Sequence, residues 1–175
     1  MRRCTLLVTL SLACAMNACT PSLDWRDVRP EGSGLQALFP CKPDGHARHL
    51  PLASATVELT LFACTAGGST YAVAFADVGQ PQLVEPALAE LMVAAARNID
   101  AQGVPSIVPL HIAGMTPYSH AGRQAITGRL ADGQAVQEQV AVFALGTRVY
   151  QATMVGARLE VQAIEMFFDA LRLTP

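Results

Sequence analysis

The chain has no surplus of basic residues: Lys and Arg total 12 against 14 Asp and Glu. Nucleic-acid binders neutralise phosphates with such a surplus, so that class of partner is excluded. The sequence also lacks an acidic tail, a phosphate-binding loop, a dinucleotide fingerprint, a Cys-x-x-Cys pair and a Gly-x-Ser-x-Gly elbow. These are the short motifs that mark nucleotide binding, thiol redox chemistry and serine hydrolysis. Its opening apolar run, residues 4–16, is shorter than the ~20 residues a membrane-spanning helix needs. With 51% hydrophobic and only 15% charged residues among 175, the composition suits one compact domain and excludes disorder or a repeat array.

Met1-Arg2-Arg3 gives a short cationic start ahead of that apolar run, which together predict a secretory leader. Met16-Asn17-Ala18-Cys19 then resembles a bacterial lipoprotein signal, in which a small residue precedes the cysteine that receives the lipid. Ala18 fits this pattern, whereas Met16 and Asn17 depart from it. The resemblance implies cleavage after residue 18 and lipid attachment at Cys19. Each buried methylene of an acyl chain contributes ~0.8 kcal/mol, so a triacylated cysteine holds a domain at a membrane. Thr20 stands where an aspartate is associated with inner-membrane retention, which implies an outer-membrane lipoprotein facing the periplasm. Ala13-Cys14-Ala15 offers the alternative, an ordinary cleavage site that leaves a soluble exported form.

With the leader removed and Cys19 modified, Cys41 and Cys64 are the remaining thiols in an oxidising compartment. An even pair permits one disulfide, and two separate buried thiols are the alternative. Loss of Arg2 and Arg3 leaves 10 basic residues against 14 acidic ones, a net charge of about −4 that does not favour adhesion to anionic lipid.

Residues 19–34 read as a tether, punctuated by Pro21, Pro30, Gly32 and Gly34, with a short edge strand over 23–28. Trp25, the single tryptophan, is expected to dock on its own domain. The domain proper spans 35–175. Strands are expected over 35–39, 56–64 and 70–78, the second with Val57, Leu59, Leu61 and Ala63 on its apolar face and the third apolar on both faces. Val84, Leu88, Leu91, Met92, Ala95 and Ile99 form one stripe of a helix over 84–101, which Gly103 and Pro105 end. Strands over 123–131, 134–145 and 148–155 follow, joined at Asp132-Gly133 and Gly146-Thr147, and a helix over 159–171 closes the chain. Strands in hairpins with helices interposed singly predict an α+β fold, an antiparallel sheet with helices packed on it.

This pattern resembles the PsbP-like fold, an α/β/α sandwich shared by a photosystem II accessory protein and many small bacterial lipoproteins. The resemblance rests on Leu38-Phe39-Pro40, the strand around Tyr71, the long helix, Ala121-Gly122-Arg123, Arg148-Val149-Tyr150-Gln151 and Phe167-Phe168-Asp169-Ala170-Leu171-Arg172. It implies a non-enzymatic accessory protein that binds a larger partner.

The residues suggest little chemistry. His46 and His49, three apart, could share a metal only on a helix, and they fall in a Pro- and Gly-bounded stretch expected to be a solvated loop. His111, in an apolar strand, and His120, beside a turn, are expected to be hydrogen-bonded structural residues. No catalytic residue, metal or cofactor is expected. If both hairpins have two-residue turns, Leu130 faces Ala135, Ile126 faces Gln139 and Phe143 faces Tyr150. Arg123, Thr127, Arg129, Glu138 and Gln151 then share a half-polar sheet face, either a partner-binding site or an ordinary solvated surface. The sequence therefore predicts a lipid-anchored envelope accessory protein with an envelope protein partner and no catalysis. A periplasmic small-molecule or lipid carrier is the alternative, and a hydrolase a weaker third.

Overall fold

The computed structural model describes residues 23–101 and 107–174. The leader over 1–18 and the lipid-attachment residue Cys19 lie outside them. In chain order the elements are β1 (Arg26–Val28), β2 (Leu35–Phe39), β3 (Asp44–Leu52), β4 (Ala55–Ala66), β5 (Ser69–Asp77), α1 (Val84–Asn98), β6 (Ile107–Pro109), β7 (Gly122–Arg129), β8 (Ala135–Leu145), β9 (Arg148–Gly156), α2 (Val161–Asp169) and β10 (Arg172–Leu173).

Seven strands form one sheet in the order β3-β4-β5-β9-β8-β7-β6, with every neighbouring pair antiparallel. The fold is α+β, as the order of elements predicts. Apolar residues alternate to both faces of the central strands, so both faces need cover. On one face Ala76, Val140, Val142, Ala144 and Val149 pack under Val84, Leu88, Leu91, Met92 and Ala95 of α1. On the other, Tyr71, Val73, Phe143, Tyr150 and Met154 pack under α2 and a small sheet ordered β1-β2-β10. Aromatic rings dominate that second layer: Phe167 sits edge-on to Tyr71 and to Phe39, 5.5 Å between centroids in each case, and Phe143 stacks on Tyr150 at 5.1 Å. Trp25 meets Tyr71 edge-on at 5.8 Å, so the tether's indole docks on its own domain as expected.

Cys41, just past β2, is bonded to Cys64 on β4, with 6.0 Å between their α-carbons. The bridge ties the small sheet to the large one. Tyr150 adds a second tie by donating its hydroxyl to the Ser33 carbonyl at 2.6 Å, and the Ser33 hydroxyl turns the tether by donating to the Pro30 carbonyl at 2.6 Å.

Four expectations need correction. Residues 44–52 are a strand, not a loop. β3 pairs with β4 from Asp44↔Ala63 to Leu52↔Ala55, leaving Ala53-Ser54 as a two-residue turn with both φ positive, 49° and 67°. Such turns normally announce themselves with Asn or Gly, and here neither is present. The Glu90 carboxylate of α1 supports this one by accepting from the Ala53 N–H at 2.8 Å.

Second, the Asp132-Gly133 hairpin has a three-residue loop. The Leu130 N–H donates to the Gln134 carbonyl at 2.9 Å, Gly133 adopts φ 87°, and the ladder runs Arg129↔Ala135 and Ile126↔Glu138. The register is thus one residue off the two-residue expectation, and a slip of one exchanges the faces of one strand relative to the other. At Gly146-Thr147 the two-residue turn holds, with Phe143 opposite Tyr150.

Third, β4 buries different faces along its length. Val57 and Leu59 join the α1 layer, whereas Phe62 and Cys64 join the α2 layer and Leu61 is exposed. Fourth, His111 follows β6 in irregular, exposed chain instead of lying in a strand.

Candidate functional site

β7 projects alternate side chains to the two layers, and this divides the residues the sequence grouped together. Arg123, Thr127 and Arg129 point to the α2 side, because their ladder partners are Ala141, Gln137 and Ala135. Glu138 and Gln151 point to the α1 side, where Glu138 opposes Ile126 and Val155, and Gln151 opposes Val142. The structure therefore separates Glu138 and Gln151 from the three β7 residues by the thickness of the sheet.

Arg123 is half-buried at the end of the α2 layer. Its guanidinium lies 4.3 Å from the centre of the Phe168 ring, and its Nε donates to Gln139 Oε1 at 2.9 Å. Burial lowers its pKa, opposed by the nearby carboxylates of Asp169 and Glu165. A surface cleft of about 480 Å³ opens beside it, lined by Val108, Leu110, Arg123 and Gln139 among others. Thr127 and Arg129 border a separate cleft of about 470 Å³ with Gln137 and Ala157. There Arg129 is held by its own hairpin, donating from Nη1 to the Gly133 carbonyl at 3.0 Å.

β6 forms the outer edge of the large sheet, and its Ile107 and Val108 side chains are 49% and 59% exposed. A further cleft of about 450 Å³ lies on its other flank, lined by Ile107, Leu110, His111, Met115, Tyr118 and His120. The two clefts share Pro109 and Leu110. Thus an apolar edge strand stands between two hollows, with a stacked arginine in one. Three apolar residues ending in proline carried too weak a periodicity to be read as a strand, so the sequence did not reveal this edge.

Beside the second hollow, Glu85 in the first turn of α1 gathers Ser119 and His120. Its Oε1 accepts from the Ser119 N–H at 2.7 Å and hydroxyl at 2.9 Å, and its Oε2 accepts from the His120 N–H at 3.0 Å. His120 Nδ1 lies 2.6 Å from the same Oε2. Partial burial pushes the Glu85 carboxyl up, but bonds from His120 and Ser119 outweigh it and hold the pKa at about 2. A Ser-His-carboxylate relay needs the carboxylate and the nucleophile on opposite imidazole nitrogens. Here both address Nδ1, with Ser119 Oγ at 3.5 Å, so the group is a clamp that fastens this loop to α1.

His46 and His49 stand on opposite faces of β3, since three residues along a strand reverses the side. His49 Nε2 lies 3.9 Å from Glu58 Oε2 across the ladder. Among the described residues no group of three or more His, Cys, Asp or Glu is gathered as metal ligands would be. No helix among them is long and apolar enough to cross a membrane.

Among the described residues Glu138 is the buried carboxyl group. It is 4% exposed, its cross-strand neighbours are aliphatic, and burial pushes its carboxyl up to about 7. The nearby Gln124, 2% exposed, reaches the Met92 carbonyl of α1 at 3.4 Å. The chain matches no protein-family model and no curated protein.

Proposed function

We propose that this is an exported accessory protein of PsbP-like fold, anchored at the outer membrane through acylated Cys19 and facing the periplasm. It binds an envelope protein at the β6–β7 end of its sheet and performs no catalysis. The observation that carries the partner site is the exposed apolar edge strand β6 between two clefts, with Arg123 stacked on Phe168 in one of them. An open edge offers unpaired backbone donors and acceptors, which an extended segment of a partner can satisfy, while hollows on either side take its alternate side chains. Export is supported by the Cys41–Cys64 bridge, since disulfides persist in oxidising compartments. An antiparallel sheet covered by helices on both faces supports the fold-family reading.

The test is a photocrosslinking residue at position 108 in the native envelope, with position 48 on the opposite edge strand as control. A discrete protein adduct is expected from 108, weakened by Arg123→Glu and missing from 48. Equal labelling from both positions, or an adduct indifferent to Arg123→Glu, would contradict the assignment.

A further inference from the structure

Six large hydrophobic side chains among the described residues are exposed, and besides the β6 pair two more fall together: Val161 at 66% and Met166 at 41%, both on α2. They line a groove of about 520 Å³ whose other wall is made by Leu23 and Trp25. Leu23 also rests against the β4–β5 turn at Gly67, so the groove joins the start of the described chain to the body of the domain. The outer surface of α2 is divided: Glu165 and Asp169 act on Arg123, and Val161 and Met166 border the groove. Charges next to the groove are paired with each other, Asp24 with Arg26 and Arg158 with Glu160. An apolar patch with a neutral rim is suited to an uncharged or zwitterionic surface and gains nothing from anionic lipid.

What covers this patch follows from how little chain separates it from the anchor. Cys19 and Leu23 are four residues apart, a reach of at most ~14 Å when fully extended. We infer that the Val161–Met166 side of α2, with Leu23 and Trp25, is the surface on which the domain rests against the bilayer that holds its acyl chains. This inference depends on the Cys19 anchor proposed above and adds an orientation to it. Acyl chains hold Cys19 at the membrane, and the short tether keeps Leu23 next to it. Rotation of the domain onto this groove buries the exposed valine and methionine and places the indole at the interface, where amphipathic aromatic rings are favoured.

Trp25, the single tryptophan, makes the arrangement measurable. The full chain, expressed with its leader and purified from membranes, is reconstituted into phosphatidylcholine vesicles with and without bromine on the acyl chains, and tryptophan emission is compared. In the brominated vesicles emission is expected to be quenched relative to the unbrominated ones, as for a ring at the headgroup boundary. V161Q/M166Q alters exposed side chains, so its unfolding temperature should stay unchanged. It should remain vesicle-bound through its lipid while losing most of the quenching. An acylated, vesicle-bound wild type with unquenched Trp25 overturns the docking surface and leaves the anchor standing, and equal quenching of the double variant also overturns the surface. An intact mass without acyl groups on Cys19 overturns the anchor and the docking together.

Discussion

Glu138 shows how one residue's position in a ladder changes its chemistry. With a two-residue turn it would share a half-polar face with Arg123. The three-residue loop instead sets it opposite Ile126 beneath the α1 layer, where burial raises its carboxyl pKa from 4.5 to about 7. Between those values the folded protein holds a proton that the unfolded chain has released, so stability falls as pH rises through this window and is lowest above it. A shift of this size corresponds to at most about 3 kcal/mol. Urea unfolding of the wild type and Glu138→Gln is best read as the difference between the two proteins, because every other ionisable group is common to both. The variant should be more stable at pH 8 by up to that amount, and its advantage over the wild type should grow between about pH 4.5 and pH 7. An unchanged pH profile would show that the carboxyl is solvated. Nothing in the sequence distinguished this glutamate from a surface one, since its environment depends on the loop length and not on its neighbours along the chain.

At the level of elements, legibility followed the strength of local signals. β2 was read to the residue, and α1, β5 and β9 to within a few, because their apolar alternation or stripe is long and their ends carry Gly or Pro. Gly67-Gly68 behaves as its composition implies, with φ of 58° and 76° closing a two-residue turn. β3 escaped because it lies nearly bare on the sheet edge, where no burial imposes alternation, and because its turn uses Ala53-Ser54. The switch of buried face along β4 escaped for a different reason: the α1 layer covers one end of the strand and the small sheet covers the other, which is a tertiary fact. The disulfide was legible by elimination of the other cysteines, and it links residues 23 apart. On the chain-entropy model a loop of that size stabilises the fold by about 3 kcal/mol. C41A/C64A should therefore unfold at a lower urea concentration, by about that free energy. A change under 1 kcal/mol would place the constraint elsewhere, for instance in the Tyr150 bond to Ser33.

Two clusters of exposed apolar side chains stand out among the described residues, and they serve different purposes in the proposed arrangement. The groove of Trp25 and α2 lies by β5, and β6 lies four strands farther along the same sheet. At the usual strand spacing that separates them by about 19 Å, enough for one end to rest on a bilayer while the other meets a partner. Of this arrangement the sequence carries the Ala18-Cys19 junction on which the proposed anchor rests and the single tryptophan, both local features. The partner edge and the docking groove needed the fold, because β6 is three residues long and Val161 and Met166 carry no signal until α2 is packed. All of it depends on the chain being exported and acylated at Cys19. The most direct measurement is the intact mass of the mature protein taken from native membranes without reduction. The expected mass is that of residues 19–175 with acyl groups on Cys19, two hydrogens short for the Cys41–Cys64 bond. A mass matching an unacylated chain, whether cut before Cys19 or after Ala15, would contradict it.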